Sequence, residues 1–130
     1  MTSNAKSNFS QTAFIAGAFL GLTGVIAGAM GAHALEKVLP PDMLDAFKTG
    51  VRFQMYHAFG LLLLGILFER YPSKSLRWAI GLFLVGSILF SGSIYLLALT
   101  PLKVGIVTPI GGTLLIVGWG MLLLWAVRKR

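Results

Sequence analysis

Residues 13–35 read AFIAGAFLGLTGVIAGAMGAHAL, 23 residues without a charge. A run this long and apolar spans the hydrocarbon core of a bilayer as a helix. Within it Ala13, Gly17, Gly21, Gly24, Gly28 and Gly31 recur at steps of four, four, three, four and three. That period keeps the small residues on one helical face, where another helix can approach backbone to backbone. The stripe has two readings: core packing inside one chain, or an interface with a second copy or a membrane-protein partner. The run closes on His33, which on a regular helix points about 165° away from the stripe. One partner therefore cannot meet both features.

Three further uncharged runs follow, at 53–68, 78–102 and 104–127. The expectation is an all-α integral membrane protein, a four-helix transmembrane bundle forming one domain over residues 1–130. Its spans lie near 13–35, 51–69, 77–99 and 105–127. Between the first two, Pro40-Pro41 stops any continuing helix. Asp42 then stands at an N-cap position. Met43, Leu44, Phe47 and Val51 alternate with Asp45, Lys48 and Arg52 at helical spacing. This predicts a short interfacial helix over 42–50, separate from or continuous with the second span. Thr108-Pro109-Ile110-Gly111-Gly112 is expected to loosen the first turn of the fourth.

Composition agrees. The 130 residues are 56% hydrophobic and 12% charged, and mean hydropathy is +0.82. There is no cysteine, hence no disulfide or thiolate chemistry. The net charge of +7 does not imply nucleic acid, because the basic residues flank apolar runs instead of forming a stripe on a soluble face. Four spans put both termini on one side. Lys6, Arg70, Lys74, Arg77, Arg128, Lys129 and Arg130 fall there, against Lys37, Lys48, Arg52 and Lys103 on the other. The positive-inside rule then predicts a cell inner membrane protein with both termini cytoplasmic. Trp78, Trp119, Trp125 and Tyr71 suit an aromatic belt.

This topology turns scattered polar residues into a pattern. His33, Gln54, Tyr56, His57, Ser91, Tyr95 and Thr108 all fall in the outer half, while the inner half is nearly all aliphatic, Phe and Gly. Gly50, Gln54, His57, Leu61 and Leu64 share one face of the second span. Ser87, Ser91, Tyr95 and Ala98 share one face of the third, and Thr108, Gly112 and Trp119 one face of the fourth. Such faces turn inward, where polar groups find partners.

No nucleophile with a base and an orienter, no embedded carboxylate pair and no nucleotide signature is present, so no enzyme is expected. The leading reading is a non-enzymatic structural or accessory component, in which the histidines make interhelical hydrogen bonds and no cofactor is held. The rival is a binding subunit using His33 and His57. Its forms are a b-type haem between two antiparallel spans, a quinone or proton site with Gln54 and Tyr56, and a metal site that no ligand spacing supports.

Gly28-Ala29-Met30-Gly31-Ala32-His33-Ala34-Leu35 resembles the GAFGAHAL signature of domain-of-unknown-function family 423. Thr49 to Ala58, with Tyr56-His57, is similar to that family's second motif. Phe90-Ser91-Gly92-Ser93-Ile94-Tyr95 resembles its third, and Thr108 to Gly112 with Gly118-Trp119 its fourth. Met30 stands where Phe is usual and Ile94 where Leu is usual. The resemblance implies a multi-pass bacterial inner-membrane protein, related to the eukaryotic transmembrane protein 256. It implies no reaction, and it points to His33, His57, Ser91, Tyr95, Thr108 and Pro109.

Overall fold

The computed structural model describes residues 2–129, with side chains from Asn8 onward. Arg130 and the side chain of Lys6, both part of the basic count at the termini, lie outside the described residues. Four antiparallel helices form the chain: α1 (Thr2–His33), α2 (Pro41–Arg70), α3 (Lys74–Leu99) and α4 (Val107–Arg128). All four are long and apolar enough to cross a membrane.

Helix limits follow from local chemistry. α1 starts well before the apolar run, where Phe9 packs on Phe68 of α2 with the ring centroids 5.2 Å apart and Ser10 is buried. After α1 a 3-10 turn, Leu35–Lys37, leads into the two prolines. Pro40, not Asp42, is the N-cap of α2, and Pro41 occupies the first turn, where its missing N–H costs nothing. Asp42 instead faces the positive end of the helix dipole. Residues 42–50 are the opening turns of α2, which runs unbroken to Arg70. Phe47, Gly50, Gln54 and His57 are all buried on one continuous stripe, so nothing separates an interfacial helix from the span. The Ser73 hydroxyl caps α3 by accepting from the Leu76 N–H at 3.1 Å. Pro109 falls in the first turn of α4, where its absent N–H has no intrahelical acceptor, and the helix is regular from Val107.

The helices pack as neighbours in sequence order: α1 on α2, α2 on α3, α3 on α4. α1 and α4 do not pack on each other among the described residues. The bundle is therefore a row with two open flanks. Small residues set each seam. A Cβ on Gly17 would meet the Ala58 carbonyl and Leu62, one on Gly24 the Met55 sulfur, and one on Gly31 the Phe47 ring. The glycine stripe of α1 is thus filled by α2 of the same chain. Across the last seam, a Cβ on Gly111 would strike the backbone of Leu89 and Phe90. The apolar core runs from Ala13 and Leu20 through Leu61, Leu64 and Phe68 to Ile80 and Phe83.

Gly111→Ala should cost about 1–3 kcal/mol, since backbone cannot move aside for the added methyl. Gly21→Ala, whose Cβ would have Ala58 Cβ at 4.0 Å as its nearest neighbour, should stabilise the chain by about 0.5–1 kcal/mol. Equilibrium unfolding in mixed micelles measures both; equal effects would contradict the assigned seams.

Candidate functional site

Gln54 is 5% exposed and joins three helices. Its Nε2 donates to the Leu20 carbonyl of α1 at 2.9 Å and to the Thr23 hydroxyl at 2.8 Å. Its Oε1 accepts from the Tyr95 hydroxyl of α3 at 2.6 Å. Every hydrogen of the amide thus ends on α1, while its oxygen ends on α3. Gly24 makes this approach feasible, because it leaves room for Gln54 to reach the α1 backbone. Thr23 in turn donates to the Phe19 carbonyl at 2.8 Å, so its oxygen is free to accept.

One turn away, the Ser91 hydroxyl of α3 donates to the Gly50 carbonyl of α2 at 2.7 Å. Gly50 allows this crossing, and Tyr95 and Ile94 pack where its side chain would stand. Thr108 of α4 hydrogen-bonds Ser93 of α3.

His57 turns toward α4. Its Nε2 lies 2.9 Å from Trp119 Nε1, and the indole nitrogen can only donate. Nε2 must therefore accept, and Nδ1 carries the proton, donating to the Phe53 carbonyl at 2.7 Å. The ring is a neutral imidazole with both nitrogens engaged. Phe83 meets it edge-on at 4.9 Å and also packs on Trp119.

Two expected members stand apart. Tyr56 is 55% exposed and packs on Phe53 at 5.6 Å. It lies about 160° around the helix from Gln54, measured the shorter way, so it faces lipid. His33 is exposed at the end of α1. Gly24 lies against Met55, Gly28 against Val51 and Gly31 against Phe47. This register puts His33 level with the region of Asp45, and His57 lies about 18 Å deeper. Two axial ligands of one haem must sit on either face of a single ring plane, so the pair does not form that site. Among the described residues no group of three His, Cys, Asp or Glu side chains is placed to hold a metal.

Thr23 and Trp119 are the residues whose roles sequence reasoning missed. Thr23 is the one hydroxyl in residues 13–35, which was its signal. Trp119 suits an aromatic belt by residue type and shares the expected inward face of Thr108 and Gly112; it lies mid-helix, and its N–H is used inside the bundle. Ser87 is buried in the same polar half, and its hydroxyl has no partner among the described residues. An apolar-walled groove of about 410 Å³ passes over Gln54, Ser87 and Tyr95 between α1 and α3.

The family described as "Protein of unknown function (DUF423)" matches residues 27–112. The UPF0382 membrane protein of Staphylococcus haemolyticus is 41% identical over 85% of this chain and 90% of its own length. The UPF0382 membrane protein YwdK of Bacillus subtilis is 40% identical over 88% of this chain and 94% of its own. The UPF0382 inner membrane protein YgdD of Escherichia coli K12 is 35% identical over 93% of each chain. No solved structure matches.

Gln54→Leu removes three interhelical hydrogen bonds, and at about 0.6 kcal/mol each the chain should lose about 2 kcal/mol. Tyr56→Phe should change stability by less than about 0.5 kcal/mol. Unfolding in mixed micelles separates the two. Nitrogen NMR of His57 should report the Nδ1–H tautomer in the native protein; Trp119→Phe should keep it, held by the Phe53 carbonyl, and shift the Nε2 resonance as its accepted hydrogen bond is lost.

Proposed function

The chain belongs to the DUF423 family, which carries no assigned reaction, and from that premise we propose that it is a non-enzymatic structural or accessory component of the bacterial inner membrane. The observation that carries this reading is the use of the polar cluster. The amide hydrogens of Gln54, the hydroxyls of Tyr95 and Ser91, and the indole N–H of Trp119 each end on another helix of the same chain. Groups so committed hold helices together; general acid–base or ligand chemistry needs a group with an open valence.

The orientation that goes with this reading places both termini in the cytoplasm. The excess of Lys and Arg at the end carrying the termini supports it. Since α2 fills the glycine stripe, a second copy or a membrane partner meets the outer faces of α1 and α4. Ile15, Leu22 and Val25 of α1 and Ile116, Leu123 and Val127 of α4 are exposed there.

A reporter fused after Arg130 should be active only as a cytoplasmic fusion; periplasmic activity would overturn the orientation. Protein extracted gently from its native membrane should run in native mass spectrometry with a second copy or a partner attached. A strict monomer would count against the accessory role. The same sample should be colourless, and a Soret band lost in His57→Ala would replace this reading with haem binding.

A further inference from the structure

At the end of the bundle that carries both termini, α3 presents a trough to the lipid. Arg77, Trp78, Gly81, Leu82 and Val85 line it with Leu114 of α4, and it holds about 510 Å³. Gly81 forms its floor, and a Cβ there would meet nothing within 4 Å. From Arg77 to Val85 the trough climbs about 12 Å along the helix, most of the ~15 Å hydrocarbon depth of one leaflet.

The mouth is cationic and prearranged. The Arg77 guanidinium sits 5.2 Å from the Phe9 ring centroid and 5.7 Å from that of Phe68. These cation–π contacts fix its position before any ligand arrives. Lys74 lies one turn earlier on the same helix. Glu69, the one acid in the sequence at this end, lies beside Arg70 in a separate depression with Phe14 and Ile66. Away from the trough, a hydrogen bond from Arg70 and then the charge of Lys129, 3.9 Å from the ring centroid, hold the Tyr71 phenol below its ordinary pKa.

We propose that this trough binds one anionic phospholipid of the leaflet at the termini. The phosphate pairs with Arg77, Trp78 stands at the glycerol level, and one acyl chain lies over Gly81 toward Val85 and Leu114. A close-packed transmembrane helix is not what this surface favours. Backbone-to-backbone approach favours small residues repeated at four-residue intervals, and the positions four residues either side of Gly81 are Arg77 and Val85. A single-glycine floor suits a chain. A net-negative headgroup suits a mouth with no acid, whereas a choline headgroup would set its own cation against Arg77.

Native mass spectrometry of the full chain in non-ionic detergent, titrated with phosphatidylglycerol or phosphatidylcholine, tests this. One phosphatidylglycerol should bind at least about tenfold more tightly than phosphatidylcholine, the equivalent of about 1.4 kcal/mol. Gly81→Leu, whose Cβ meets nothing within 4 Å, puts a side chain into the trough and should abolish the preference, as should Arg77→Gln. Arg70→Gln removes the same charge outside the trough and should bind as the native protein does. If Arg77→Gln fails to fold, Gly81→Leu alone decides. Equal binding of the two lipids, unchanged binding in Gly81→Leu, or equal losses in Arg70→Gln and Arg77→Gln would each overturn the proposal. So would a dimer that Gly81→Leu dissolves.

Discussion

Hydrocarbon offers no water to a polar side chain, so each buried amide must find every partner within the protein. Gln54 meets that demand with two donors on α1 and one acceptor for α3. Three bonds in three directions fix how far α2 is rotated and how deep it sits against both neighbours. The arrangement depends on the glycine face of α1. Only where α1 lacks side chains can Gln54 reach the Leu20 carbonyl, an atom of the α1 backbone. Close packing and polar bonding are therefore one device at this seam: the glycines admit the amide, and the amide fixes the register of the glycines.

The same logic sets the order of the helices. α2 turns Gly50 and Gly60 toward α3 and Gly65 toward α1, where Phe14 packs against it. α3 turns Phe83 into the space left by Gly60 and by Gly118 of α4. Both inner helices thus offer close-approach surfaces on two sides. α1 and α4 have one such surface each, so they stop the row at its two edges. Hydrophobicity alone could not choose this order, because lipid tails solvate an aliphatic face as well as another helix does.

The four spans and most of the inward faces were legible in the sequence, since they rest on charge-free length and helical period, whereas the N-cap expected at Asp42 falls at Pro40. Gly50, Gln54, His57, Leu61 and Leu64 are all buried as their common face requires. What was not legible is which inward face meets which. Periodicity gives a direction around one axis and says nothing about the register between two. Ser91 reads equally well as a neighbour of Gln54 or of Gly50; the backbone crossing at Gly50 decides it. His33 and His57 both read as outer-half residues, and only the α1–α2 register separates their depths. Trp119 reads both as a belt residue, because Trp concentrates at interfaces, and as part of an inward face with Thr108 and Gly112; neither reveals a particular indole bonded to an imidazole.

Hydrogen-bond polarity narrows what the polar half can accommodate beyond its own helices. The hydrogens of Gln54, Tyr95, Ser91, Trp119 and His57 are all directed at oxygens or nitrogens of this chain. What remains on these side chains is lone pairs. Among the described residues, the Ser87 hydroxyl is a buried donor without a partner in this half. An acceptor that drew instead on one of the bonded groups would displace an existing bond and leave a buried group unpartnered, at about 1–3 kcal/mol. The positively charged end faces the opposite condition. Its donors are many, its acceptors few, and an anion from the bilayer satisfies them without disturbing a helix seam.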